Sequence, residues 1–161
     1  MSRQSDKYHV AMAGEFFVAA QLQRLGFAAA VTYGNAKRAD VVVLSPDSER
    51  AVLVEVKTTS RAKWPVGNRA PEPSRQPWVF VWLPEAADES PEYYVLTQAQ
   101  LHDILISGQD RYFAAYEAKH GESYGDRPGV VSLSRADAAP YRNNWQVIRE
   151  LAAPPANAPP N

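Results

Sequence analysis

No cysteine occurs among the 161 residues. That excludes a disulfide framework and any thiolate metal site, and it fits a reducing compartment. A charge surplus of either sign is also missing: 17 Lys and Arg stand against 18 Asp and Glu, for a formal net charge of −1. The chain is therefore no polycationic coat that grips nucleic acid without regard to sequence, although a local basic patch can act within a near-neutral whole. No apolar run approaches the ~20 residues that a membrane span needs. No basic-then-apolar leader opens the sequence, so a soluble, cytoplasmic protein without a membrane partner is expected. The phosphate loop G-x-x-x-x-G-K-S/T, a G-x-G-x-x-G after a strand and the nucleophile elbow G-x-S-x-G are all absent, which leaves nucleoside-triphosphate, dinucleotide and serine-hydrolase chemistry without support. His9, His102 and His120 are scattered and lack the spacing of a zinc site. Asp103, Asp110, Asp126 and Asp137 lie in polar stretches and read as surface.

What the sequence does contain is acid placed inside apolar strands. Residues 39–44 and 51–57 are short, valine-rich runs separated by the polar cluster 45–50, the pattern of a β-hairpin. Asp40 opens the first run, and the second reads Val52-Leu53-Val54-Glu55-Val56-Lys57. Side chains alternate along a strand, so Glu55 and Lys57 share one face while Val54 and Val56 take the other. A turn centred between Asp47 and Ser48 puts Val41 opposite Val54 and Asp40 opposite Glu55, about 4.5–5.5 Å apart. Two carboxylates at that distance repel unless a cation lies between them. A divalent ion held by oxygen ligands is the natural candidate, with Lys57 adding charge beside it. Removing either carboxylate is then expected to relieve repulsion and leave the fold intact or steadier.

A third carboxylate lies upstream. Residues 10–25 carry the spacing of an amphipathic helix through Ala11, Glu15, Val18, Leu22 and Leu25, with Gly26 placed as its C-terminal cap. Glu15 thus falls on the stripe facing the sheet. Periodicity alone leaves two readings open, a functional carboxylate or an acid that complements the helix dipole.

The order of a helix with Glu15, a strand with Asp40 and a strand with Glu55-Val56-Lys57 resembles the PD-(D/E)XK nuclease superfamily, which includes restriction-type enzymes and archaeal Holliday-junction resolvases. The stretch Gly14-Glu15-Phe16-Phe17-Val18-Ala19-Ala20-Gln21-Leu22-Gln23-Arg24-Leu25-Gly26-Phe27 is similar to the superfamily's first helix. Gly34-Asn35 before the Asp strand and Val56-Lys57-Thr58 after the Glu resemble a group of small bacterial members. Ala39 stands where the family name has proline, at a position that carries no chemistry. The resemblance is specific over residues 14–59 and loose over 64–105. It implies an α/β fold with a restriction-endonuclease-like core: a mixed β-sheet flanked by helices, the N-terminal helix packed on the sheet. It also implies metal-dependent hydrolysis of phosphodiesters in nucleic acid, DNA first, with Mg²⁺ or Mn²⁺ held by Asp40, Glu55, the Val56 carbonyl and Glu15, and with Lys57 as the catalytic cation. Related resolvases pair as dimers, so a homodimer is a further expectation. The alternative is a catalytically inactive module of the same fold that binds nucleic acid or a protein partner.

Beyond the motif strand, residues 58–76 carry Arg61, Lys63, Arg69 and Arg75 against the single acid Glu72. These cations, with Lys37 and Arg38 before Asp40, are candidates for gripping phosphates. Trp64 could stack a base, but a lone tryptophan more often packs, and a core position is expected for it. Residues 78–83 read as a buried central strand and 92–96 as another. Thr97 is placed to cap a helix over 98–106 ended by Gly108, a second helix covers 109–119 up to Gly121, and 130–133 form an edge strand. Asn143 or Asn144 would cap a last helix over 145–151. A single domain over 1–151 and a disordered Ala/Pro tail over 152–161 complete the expectation.

Overall fold

Gly26 ends the first helix because it can take a backbone shape that other residues resist. Helix α1 (Arg3–Arg24) is followed by Gly26 at φ 88°, the left-handed region where glycine has no Cβ penalty. The Phe27 N–H then reaches back to the Leu22 carbonyl at 3.0 Å and the Gly26 N–H to that of Gln23 at 3.0 Å, the pairing that closes a helix on a left-handed cap. The computed structural model describes residues 3–33, 39–46, 50–125 and 129–153. Lys37, Arg38, Gly34-Asn35, the turn at Asp47 and Ser48, Asp126 and the tail beyond 153 lie outside them.

The fold is mixed α/β. Strands β1 (Ala28–Val31), β2 (Val41–Leu44), β3 (Ala51–Thr59), β5 (Pro77–Trp82) and β6 (Glu92–Thr97) form one sheet in the order β1-β2-β3-β5-β6. All neighbours are antiparallel except β3 and β5. A parallel pair needs a crossover, and here the crossover contains β4 (Lys63–Gly67), which pairs with β7 (Val131–Ser134) in a separate two-stranded ribbon. Neither β1 nor β4 is evident in the sequence. Three alanines carry little strand propensity, and β1 is held by its pairing with β2. In β4, Pro65 sits at a register shift between Pro65 and Gly67, where a residue without an N–H can be tolerated in a strand.

Two apolar layers cover the sheet. On one face, Val18 and Leu22 of α1 and Trp145 and Ile148 pack on Val41, Val43, Val54, Val56, Val79 and Val81; Ile148 belongs to α4 (Gln146–Ala152). On the other, Leu101 and Leu105 of α2 (Gln98–His120) pack with Trp64, Trp78, Phe80 and Leu133. Trp64 is the core residue expected, 1% exposed, with its indole N–H donating to the Val81 carbonyl at 2.8 Å. Thr97 caps α2 as expected, its hydroxyl accepting from the Gln100 N–H while the Gln100 side chain reciprocates. Gly108, however, does not end the helix. α2 runs on for 23 residues to Gly121, which has φ 70° and supplies the cap. A glycine inside a helix costs only about 1 kcal/mol, less than abandoning the turns beyond it. The asparagines before α4 also act differently from the expectation: no side chain caps that helix. Instead Asn143 takes a positive φ of 53° and the Asn144 amide donates to the Val95 carbonyl at 3.3 Å.

Glu92 fastens the C-terminal segment to β6. Its carboxylate accepts from Arg135 at 2.6 Å, Arg142 at 3.0 Å and the Tyr94 hydroxyl at 2.5 Å. Arg135, the first residue of α3 (Arg135–Ala138), also lies 3.9 Å over the Trp82 ring. Burial pushes the Glu92 carboxyl up, but the hydrogen bonds from Tyr94 and Arg135 and the charges of both arginines outweigh it, and the carboxyl ionises below the ordinary glutamate range. A depressed carboxylate contributes stability that is complete above its unfolded value, about 4.3 for glutamate, and is lost as pH falls through the lower folded value. Urea midpoints should therefore separate wild type from Glu92→Gln at neutral pH and converge on acidification through that window. Parallel curves across it would refute the assignment.

Candidate active site

Strand β3 changes partners half-way along its length. Residues 51–54 pair with β2, and residues 55–59 pair with β5 on the opposite edge. The expected hairpin register is present, with Val41 opposite Val54, but the ladder stops there, and Asp40 does not take the next position opposite Glu55. Its N–H turns to the Val54 carbonyl at 3.0 Å, and its side chain replaces the missing rung: Asp40 Oδ2 accepts the Val56 N–H at 2.8 Å. From the other side Thr32 anchors the same point, its N–H donating to the Asp40 carbonyl at 2.9 Å and its hydroxyl to the Ala39 carbonyl. Asp40 is 8% exposed. Because the N–H and C=O of one extended residue leave the same edge of a strand, the Val56 carbonyl is directed to the side of β3 that Asp40 occupies.

Glu55 and Lys57 lie on the α2 face of β3, at partly exposed positions. Lys57 Nζ stands 3.3 Å from Glu55 Oε1 and 5.8 Å from the centre of the Trp78 ring, within the range of a cation–π contact. Trp78 is itself fixed, its indole N–H on the Gln98 side chain at 3.1 Å and its ring stacked on Phe80. Sequence reasoning gave Trp78 only a strand position. Its place beneath the lysine follows from the parallel β3–β5 pairing, which no local pattern encodes.

Glu15 is buried, as the stripe of α1 requires, at 6% exposure. Next to it Gly14 touches β3: a Cβ there would stand 1.8 Å from Thr58 Oγ1 and 2.8 Å from Thr58 Cβ. Thr58 shares a face with Val54 and Val56, so α1 packs on that side of β3 through Gly14, Val18 and Leu22, while Glu55 and Lys57 project from the other. Among the described residues no group of three or more His, Cys, Asp or Glu side chains is arranged to hold a metal ion. Glu15, Asp40 and Glu55 do not form such a group.

The basic side chains of the crossover, Arg61, Lys63, Arg69 and Arg75, are all exposed. Lys63 opens β4. Trp64, buried in the core, is not a stacking platform. Among the described residues no helix is long and apolar enough to cross a membrane.

No protein-family model matches the chain, and no curated protein matches it by sequence. Among solved structures, the chain is similar to "The structure of a bacterial homing endonuclease: I-Ssp6803I", at 15% sequence identity and a TM-score of 0.48, over 89% of this chain and 91% of that one. A likeness of that size assigns no activity.

Proposed function

We propose that the chain is a metal-dependent nuclease that hydrolyses phosphodiester bonds of nucleic acid, with DNA as its substrate. The observation that carries this reading is the hydrogen bond from the Val56 N–H to the Asp40 carboxylate, which ties a buried acid to the backbone of the Glu55-Val56-Lys57 run where β2 stops pairing. The donors there suit a hard cation: two carboxylates, Asp40 and Glu55, and the Val56 carbonyl. Mg²⁺ is held by one or two carboxylates with waters and substrate phosphate rather than by a closed protein cage, so Asp40 and Glu55 suffice without a third carboxylate. When bound, Mg²⁺ or Mn²⁺ would supply Lewis-acid stabilisation of the phosphoryl oxygens and a more acidic water.

The chain's own groups have distinct tasks. Asp40 and Glu55 bring negative charge to the edge of β3. Lys57, held between Glu55 and the Trp78 ring, offers a cation to charge that builds on a phosphate. Glu15, buried on the sheet-facing stripe of α1, is a supporting carboxylate that acts through water. Purified protein should cleave at least one member of a panel of duplex, single-stranded, nicked and branched DNA and RNA with Mg²⁺ or Mn²⁺, and none with chelator. Lys57→Ala should lower that rate by about 10²–10³-fold while keeping the metal-dependent rise in melting temperature that a native-state ligand produces. Absence of metal-dependent cleavage across the whole panel would overturn the proposal.

A second reading has its own support. The Glu55–Lys57 ion pair and the lack, among the described residues, of a three-carboxylate arrangement favour a module that binds nucleic acid or a protein partner without cutting. Binding of the panel with neither cleavage nor metal-dependent stabilisation would assign it.

A further inference from the structure

Between α2 and the β4–β7 ribbon lies an open groove of about 630 Å³, within the roughly 300–1,000 Å³ range of small-molecule sites. Lys63 stands at one wall and Arg111 at the other, and Tyr112, Phe113 and Tyr124 supply aromatic surface. The three rings hold one another: Tyr124 meets Tyr112 edge-on at 5.3 Å and stacks on Phe113 at 5.1 Å. Tyr112 nevertheless remains 55% exposed. Arg111 is paired with Asp137 at 3.4 Å, with both side chains open to water, a contact weak enough to be exchanged for another anion.

We infer that this groove binds single-stranded nucleic acid, one base lying against Tyr112 and its flanking phosphates meeting Lys63 and Arg111. Rings with a free π-face take any base, and cations beside them track the backbone; that combination defines non-specific single-strand sites. Of the crossover cations, Lys63 lines the groove. Lys63 follows Lys57 by six residues, so their Cα atoms are at most about 22 Å apart, the rise of about six nucleotides in one strand of a duplex. The inference thus deepens the nuclease reading on which it rests: the substrate would present an unpaired strand beside the bond to be cut. Asp137 acts as a place-holder on Arg111 and is displaced by phosphate.

Fluorescence anisotropy with end-labelled single-stranded DNA and RNA in chelator, which suppresses cleavage, tests this. Tyr112→Ala should weaken binding roughly tenfold or more, the worth of one stacked base. Lys63→Ala and Arg111→Ala should each flatten the dependence of log affinity on log salt by about 0.7. Asp137→Asn should tighten binding several-fold, a gain that structural damage does not produce. Melting curves identify any variant that fails to fold, and the Asp137→Asn gain still decides the matter in that case. Wild-type affinity and salt slope in all four variants, or no single-strand binding by wild type, would overturn the inference. Cleavage by wild type with unaltered binding in the variants sinks the groove alone. Loss of binding in the variants of a chain that never cleaves sustains the groove and sinks the nuclease reading.

Discussion

Asp40→Asn is expected to abolish metal-dependent cleavage while leaving the melting temperature close to that of wild type. The asparagine side-chain oxygen can still accept the Val56 N–H, so the rung that replaces the lost ladder position survives and only the charge disappears. Loss of a carboxylate that holds a catalytic cation removes several kcal/mol of transition-state stabilisation, about 10³-fold in rate at 1.36 kcal/mol per decade. Asp40→Ala should lose cleavage equally and also stability. It leaves the Val56 N–H without its 2.8 Å acceptor, at a cost of about 1–3 kcal/mol for a donor stranded inside the protein. This reverses the expectation from charge alone, in which removing one of two facing carboxylates would steady the fold. Cleavage by purified Asp40→Asn at the wild-type rate would remove Asp40 from the site. A melting temperature in Asp40→Ala at or above that of wild type would remove its hydrogen bond from the account of stability.

Gly14→Ala should have the largest effect on the fold. In an exposed helix the exchange would gain up to about 1 kcal/mol from propensity. Here the added methyl meets Thr58 Oγ1 at 1.8 Å and Thr58 Cβ at 2.8 Å. Rotating the threonine moves the oxygen but not the Cβ, so α1 must lift from β3. Overpacking of this kind costs about 1–3 kcal/mol, and a net loss of about 2 kcal/mol lowers the melting temperature by roughly 4–8 °C in a chain of this size. Glu15, the next residue, moves with the helix, so activity should fall as well. Adding Thr58→Gly to Gly14→Ala should recover part of the stability lost, because it removes the three nearest atoms that the methyl meets, less the cost of a glycine inside a strand. A melting temperature unchanged in Gly14→Ala, or no recovery in the double variant, would show that the contact is not tight.

The elements that the sequence discloses are those whose determinants are local. The Val41–Val54 register follows from two valine-rich runs and the brief polar segment between them in the sequence, and the caps at Gly26 and Thr97 follow from residue chemistry. Gly108 misleads because its own preference is local whereas the continuation of α2 depends on the rest of the helix. β1 and β4 escape notice because alanine and proline carry no strand signal of their own. For the candidate site, alternation placed Glu55 and Lys57 on the face opposite Val54 and Val56, and periodicity put Glu15 on the stripe with Val18 and Leu22. Neither pattern says which face of the sheet that stripe will cover. The helix packs on the valine face, with Gly14 against Thr58 and Val18 and Leu22 over Val54 and Val56.

The partner change along β3 also separates pairing between near neighbours in sequence from pairing across a longer crossover. α1, β1, β2 and the first half of β3 are neighbours in sequence and can assemble by short-range closure. The second half of β3 pairs with β5, whose parallel alignment requires the intervening crossover to close a longer loop at greater entropic cost. The Asp40–Val56 hydrogen bond spans that division, joining the local hairpin to the half of the strand whose partner is more distant in sequence. The acid at the fork is thus a clasp between short-range and longer-range pairing.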